Sequence, residues 1–263
     1  MNYCRIFSVS TKYENYTEHK PRFAICVFGC DKIQKYKNQI LKIKETWGKT
    51  ALEYGVPVYF FLGEEPTDMI GYNINLPGVK DDYQSASYKQ FYGLDYISKE
   101  VDPDFVLTCG TDTYLNIPRL LGLLDQYHPS DNLYIGGHGC VRNIGNKKIY
   151  FHSGGPGFIL SRNSLERLCP FIPTIMDEWI SFCNQHHQTD LLPACDVTIA
   201  YALSKPTINS KKIDVDGFYH CNHYGIPCHP NGFSFRDIYS CHNMSLSDFD
   251  EFTNILHTNN YFL

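Results

Sequence analysis

The sequence predicts a single α/β domain with a mainly parallel central sheet, and three observations carry that prediction. Short apolar runs rich in strand formers alternate with longer stretches whose apolar residues recur at helical spacing. With 263 residues, 43% of them hydrophobic, the chain is long enough to bury a substantial core. After a polar extension over residues 1–20, no repeat, low-complexity tract or linker divides residues 21–263. Strand and helix in alternation favour a parallel sheet, because each crossover needs an element to carry the chain back over one face.

The first strand is read at Arg22 to Phe28, "RFAICVF", and is followed by one amphipathic helix in "KNQILKIKETWGKTALEYG". "VPVYFFLG" (Val56 to Gly63) is the second strand, a helix runs from about Ser85 to Ser98, and "DFVLTCG" (Asp104 to Gly110) is the third strand. Asn116, Ile117 and Pro118 then open a helix. Asn caps the first turn and Pro fits within it, while Leu120, Leu121, Leu123 and Leu124 supply the buried face. This strand-turn-helix unit sets "GTDTY" (Gly110 to Tyr114) at the carboxyl edge of the sheet, where open α/β sheets bind ligands.

The second half is less regular. Short strands are expected at "LYIGG" and "KKIYF", then a Gly-rich stretch "HSGGPGFIL" (His152 to Leu160) runs into a helix "SRNSLERL" capped by Ser161. Helical segments follow near Pro173 to His187 and Asp196 to Leu203. Beyond Lys205 the sequence reads as loop, and His220 to His242 is rich in Cys, His, Gly and Pro.

Composition narrows the partners. Twenty-three Lys and Arg against 28 Asp and Glu give a formal charge of -5, with no basic stretch to track a phosphate backbone, so no nucleic acid is expected. Twenty Tyr and 17 Phe suit a site that stacks on sugars or bases and equally suit an ordinary core. Met1 to Lys20 holds no apolar run fit for a signal or a membrane anchor, so a soluble, cytoplasmic chain is expected. The eleven cysteines are scattered and odd in number, and Cys26 and Cys109 sit in apolar runs where a thiol acts as a small hydrophobe. Reduced thiols are the expectation. Both expectations reverse if the chain is a lumenal part of a longer, membrane-anchored protein.

Six blocks occur in order over about Arg22 to His242: "LKIKETWG", "VYFFLG", "DDYQSASYKQ", "GTDTYLNIPRLL", "HSGGPGFILSR" and "CDVTIAYAL". In that order they resemble the Fringe-like and core 1 galactosyltransferase-like β1,3-glycosyltransferases. The resemblance implies a GT-A fold over residues 21–263, a UDP-sugar donor, Mn²⁺ dependence, inversion at the anomeric carbon and a glycan or glycoprotein acceptor. A sugar such as Gal, GlcNAc or Glc, joined in a β1,3 linkage, is the implied product.

Each site residue carries over separately. The family's metal motif is a triplet of Asp whose last member matches Asp112, whereas Gly110 and Thr111 stand at the first two positions. Asp112 also reads simply as a turn former ahead of the helix. The family's Glu-Asp-Val block, whose Asp is the proposed general base, matches Cys195, Asp196 and Val197; helix capping is the plainer role for Asp196. A late family histidine that completes the metal shell corresponds to His242, and neutral imidazole is a credible Mn²⁺ ligand. Asp81 and Lys89 belong to the Asp-x-Tyr block and Lys44 precedes Thr-Trp, so the resemblance points the three toward the donor; a solvated helix-surface lysine is the plainer reading of either Lys. Gly154, Gly155 and Gly157 match the family's Gly-rich block, which borders the sugar, or make only a tight turn. Two other readings stay open: a catalytically silent UDP-sugar or glycan-binding module, and a zinc-stabilised interaction protein built on His220, Cys221, His223, Cys228, His229, Cys241 and His242.

Overall fold

A computed structural model describes residues 22–65, 71–226 and 237–258. The polar extension, and Cys228 and His229 of the candidate zinc cluster, lie outside the described residues. Along the first half run β1 (Phe23–Phe28), α1 (Gln34–Glu45), α2 (Trp47–Glu53), β2 (Val58–Leu62), β3 (Asn73–Asn75), α3 (Ala86–Tyr96), β4 (Phe105–Cys109), β5 (Tyr114–Leu115) and α4 (Ile117–Leu124). The second half carries β6 (Leu133–Gly136), β7 (Gly139–Ile144), β8 (Lys147–His152), β9 (Phe158–Ser161), α5 (Arg162–Leu168), α6 (Ile172–Gln185) and α7 (Cys195–Leu203). It ends with β10 (Lys211–Asp214), β11 (Phe218–Tyr219), β12 (Ser240–Cys241) and α8 (Leu246–Thr258).

Seven strands form the main sheet in the order β10-β6-β9-β4-β1-β2-β3. All neighbours pair in parallel except β9, which runs antiparallel to both β4 and β6. A parallel sheet is covered on both faces, and β1 shows it: Phe23, Ile25 and Val27 enter one core layer, Ala24 and Cys26 the other. The first layer draws on α1, α2, α4 and α8, through Ile40, Trp47, Leu120 and Phe249 among others. α3, α5, α6 and α7 supply the opposite layer, through Phe91, Leu165, Trp179 and Ile199. A small sheet, β11-β12-β5, and the β7-β8 hairpin stand beside the main one.

Both predicted caps are present. The Asn116 side chain accepts from the Arg119 amide at 3.4 Å, and Ser161 accepts from Ser164 at 3.3 Å. Two expectations are corrected. The single helix expected after β1 is two, because at Thr46 the backbone leaves helical geometry (φ -112°, ψ -115°) while the hydroxyl donates to the Lys42 carbonyl at 2.7 Å. The segment beyond Lys205, read as loop, adds β10 to the sheet edge and ends in α8. β10 is short and charged, as suits an edge, and so lacks a strand's apolar signature. α8 buries Phe249, Phe252 and Leu256, an i, i+3, i+7 stripe too sparse to stand out among the polar residues around it. Among the described residues no helix is long and apolar enough to cross a membrane.

Candidate active site

β1 leads to β2 on one side of the sheet and β4 lies on its other side, so a crevice opens where their carboxyl ends diverge. A cavity of about 350 Å³ fills it, floored by Gly29 and Cys30 after β1 and by Gly110, Thr111 and Asp112 after β4. Gly154 and Gly155, Ala194 to Asp196, Tyr83 and His242 complete the walls.

The turn after β4 is fixed by its neighbours so that Asp112 alone of its side chains presents a charge. Thr111 is buried and its hydroxyl donates to Gln39 Oε1 on α1 at 2.7 Å. The Trp47 indole N–H donates to the Thr113 carbonyl at 3.0 Å, and the Thr113 hydroxyl donates to the Gly155 carbonyl at 2.7 Å. The small sheet then supplies a partner. β12 runs antiparallel to β5 with Cys241 opposite Tyr114, so the chain leaving β12 passes the residues that enter β5. His242 thereby meets Asp112, Nε2 to Oδ1 at 3.3 Å, and the Met244 amide donates to the Asp112 carbonyl at 3.0 Å.

The imidazole is oriented from its other side, where Nδ1 contacts the His220 carbonyl at 3.3 Å. A carbonyl only accepts, so Nδ1 carries the hydrogen and Nε2 is left to face the carboxylate. Two acceptors that face each other require a positive centre between them, a proton or a cation. Burial alone would lower the His242 pKa, but Asp112 and the His220 carbonyl raise it above the usual imidazole value. Burial likewise opposes ionisation of Asp112, yet the His242 contact, with the more distant Lys35 charge, holds it below the usual carboxylate value.

A hard divalent cation suits the same spot. Ligands about 2.1 Å from one ion and at right angles stand about 3 Å apart, close to the observed separation. Among the described residues no three His, Cys, Asp or Glu side chains converge on one point. Among the described residues Asp112 and His242 would hold a cation there, leaving positions for water or the oxygens of a bound ligand. His220, Cys221, His223 and Cys241 do not converge on it: the His223 ring is buried and stacks on Phe252, 5.3 Å between centroids.

Asp196 lies in the first turn of α7. It is not the cap, a position that falls to Ala194. Its Oδ2 accepts from the Gly154 amide at 3.0 Å and its Oδ1 from the Val197 amide at 2.9 Å. The Gly-rich loop separates this carboxylate from the Asp112–His242 pair. A Cβ at Gly154 would come within 2.8 Å of Asp196 Cβ, and one at Gly155 within 2.4 Å of His242 Nδ1. The loop thus passes between the two groups only because it has no side chains. Gly157 serves the backbone instead, since at φ +79° it turns the chain into β9 against the Thr108 carbonyl.

The remaining sequence candidates divide. The Lys89 ammonium is buried and donates to Asp81 Oδ1 at 2.8 Å and to the Gly29 carbonyl at 2.7 Å. The Asp81 carboxylate also accepts from the amides of Asp31, Lys32 and Gly63. Burial opposes its charge, but Lys89 and these amides hold its pKa below the usual value. Asp81 and Lys89 therefore tie the loops after β1, after β2 and before α3 together beneath the cavity. Lys44 is not brought to it. Its ammonium donates to Asn73 Oδ1 at 3.1 Å and lies over the Phe60 ring, and burial lowers its pKa to about 8. Lys35, Tyr36 and Tyr83 line the cavity as well; Tyr83 is the tyrosine of the Asp-x-Tyr block, whereas no motif in the sequence singles out Lys35 or Tyr36. A signal existed all the same, because residues opening the helix after β1 must stand at the carboxyl edge.

A family model described as Fringe-like matches residues 73–224. A β-1,3-N-acetylglucosaminyltransferase, manic fringe, of Danio rerio is 27% identical over 151 residues, covering 52% of this chain and 41% of that protein. The Fringe glycosyltransferase of Drosophila melanogaster is 41% identical over 71 residues, 22% of this chain and 17% of that one. The chain thus spans less than half the length of these relatives. Among solved structures, a glycosyltransferase involved in glycosylation of the major capsid of PBCV-1 aligns with TM-score 0.50 at 16% identity, covering 89% of this chain and 100% of that one. The glycosyltransferase GlyE of Streptococcus pneumoniae TIGR4 aligns with TM-score 0.52 at 12% identity, covering 92% and 64%. At such identities the likeness is one of fold, the GT-A arrangement of a mainly parallel sheet.

Proposed function

The chain belongs to the Fringe-like family, and from that premise we propose that it is an inverting glycosyltransferase. It moves a sugar, of the Gal, GlcNAc or Glc class, from a UDP-sugar to a hydroxyl of a glycan or glycoprotein acceptor, in a β1,3 linkage. One observation carries the reading: a carboxylate, Asp196, and a cation-seeking pair, Asp112 and His242, share one cavity on either side of the Gly154–Gly155 loop.

In the proposed reaction the acceptor oxygen bonds to the anomeric carbon as the bond from that carbon to the diphosphate oxygen breaks. The breaking bond's electron pair leaves on UDP, and the acceptor's proton passes to Asp196. Asp196 suits the role of base because its two amide contacts fix the carboxylate while each oxygen keeps a further lone pair. Asp112 and His242 would hold Mn²⁺, which when bound neutralises charge on the leaving diphosphate. Gly154 and Gly155 would let the sugar approach the backbone. In this reading Asp81 and Lys89 support the donor site from below.

Release of UDP from a panel of UDP-sugars, assayed with Mn²⁺ and with chelator, tests the proposal on the native protein, Asp196→Asn and Asp112→Ala. Turnover of a donor, lost in Asp196→Asn with UDP binding retained, is expected. Full transfer by Asp196→Asn would remove the base, and turnover indifferent to chelator would remove the metal. UDP binding with no turnover under any condition would favour a silent binding module, a reading that Gly110 and the inward-facing Thr111 motivate. Stoichiometric zinc in the purified chain would favour the zinc-stabilised one.

A further inference from the structure

Two side chains at the cavity mouth have no part in the chemistry above. Lys35 and Tyr36, in the first turn of α1, line the cavity together with Asp112. The Lys35 ammonium stands 5.6 Å from the centre of the Tyr36 ring, and its charge reaches the Asp112 carboxylate. Tyr36 shares the cavity wall with Cys30, Tyr83 and Asp112. A tyrosine phenol ionises only at about pH 10, so it keeps its proton and serves as a donor at neutral pH. Among the described residues neither side chain is engaged in a hydrogen bond or an ion pair. The other lysine in the wall, Lys89, is already neutralised by Asp81.

A diphosphate entering beside Asp112 meets a carboxylate, and among the described residues no third His, Cys, Asp or Glu side chain joins Asp112 and His242 to hold a cation there. Binding strength for the anion must then come in part from the protein's own positive charge. We propose that Lys35 and Tyr36 form a clamp that holds the donor's diphosphate alongside the cation and independently of it, Lys35 as its ion-pair partner and Tyr36 as a hydrogen-bond donor. The clamp rests on the reading of the cavity as a nucleotide-sugar site. It acts on the leaving group: as the sugar departs, charge accumulates on the diphosphate oxygen and the ammonium already lies beside it.

Isothermal titration calorimetry of the full chain with UDP and with uridine, each in EDTA and in Mn²⁺, tests the clamp. Wild type is expected to bind UDP more tightly than uridine even in EDTA. Lys35→Ala should weaken UDP by about tenfold or more in both conditions, the usual scale of a charged hydrogen bond, and Tyr36→Phe by about fivefold. Uridine affinity and the melting temperature should stay unchanged, and Lys35→Arg should recover most of the loss. Unaltered UDP affinity in EDTA for Lys35→Ala and Tyr36→Phe overturns the clamp. So does wild-type UDP binding that exceeds uridine binding only when Mn²⁺ is present. Failure of wild type to bind UDP in either condition would instead overturn the nucleotide-sugar reading, and the clamp with it.

Discussion

Replacing Gly155 with Ala adds one methyl group and should disable the metal site proposed at Asp112 and His242. The new Cβ would lie 2.4 Å from His242 Nδ1, 2.5 Å from Cγ and 2.7 Å from Cε1. Carbon and nitrogen pack at about 3.5 Å or more, so the ring or the loop must retreat by about 1 Å. The ring is held on two sides, by the His220 carbonyl and by Asp112, each at 3.3 Å. Either contact lengthens beyond hydrogen-bond range if the ring moves. If the loop moves instead, it disturbs the Gly154 amide that holds Asp196 and the Gly155 carbonyl that receives Thr113. Overpacking of this kind costs about 1–3 kcal/mol of stability, and misplacing a site group by about 1 Å costs about 100-fold in turnover. The measurements are thermal unfolding, Mn²⁺ affinity by electron paramagnetic resonance, and UDP release. Gly122→Ala is the control, since a Cβ there meets nothing within 4 Å and should leave all three readouts intact. Native Mn²⁺ affinity and turnover in Gly155→Ala would refute the claim that the glycine exists to make room for His242.

Three further outcomes follow from the same contacts. Lys89→Met leaves the buried Asp81 carboxylate without its counter-ion and should cost about 3–5 kcal/mol in denaturant unfolding, whereas Lys44→Met, remote from the cavity, should leave UDP binding unchanged. Trp47→Phe removes the donor to the buried Thr113 carbonyl and should cost about 1–3 kcal/mol, with weaker Mn²⁺ binding because that carbonyl belongs to the Asp112 turn. The Asp112–His242 contact gives a pH signature. Asp112 is depressed, so its share of stability is present above its unfolded value of about 3.9 and is lost as pH falls through the folded pKa. His242 is raised, so its share is complete below about 6.5 and is lost as pH rises through the folded pKa. The melting-temperature deficit of His242→Ala should therefore be largest between about pH 4 and 6.5 in metal-free buffer, and a deficit that grows toward pH 9 would contradict it. Mn²⁺ binding should show the opposite trend, weakening on acidification as the proton takes the cation's place.

Much of the molecule could be read in advance where a local pattern has a local cause. The strands at β1, β2 and β4 are apolar on both faces because both faces are covered, and Asn116 and Ser161 cap helices through bonds to residues only three positions away. Asp112 was legible for a similar reason: the end of a buried strand before a capped helix must fall at the carboxyl edge. α8 and β10 were not, since a charged edge strand carries no apolar run and a lone C-terminal stripe gains meaning only from the layer it covers. Lys44 and Lys89 occupy comparable motif positions, yet one donates to Asn73 beyond the cavity and the other is spent on Asp81 beneath it, because helix rotation and not sequence order aims a side chain.

The sequence by itself determined the strand-helix alternation, the turn that carries Asp112, and the glycines whose missing side chains leave room for a site. Only the tertiary structure decided that His242 faces Asp112. The two residues are brought together by antiparallel pairing of β12 with β5, a non-local contact that no pattern within either segment specifies. Selection of Lys35 and Tyr36 over Lys44 at the cavity mouth was decided the same way. Charge and aromaticity are properties of a residue, but what they act on is set by the packing of elements distant in the chain.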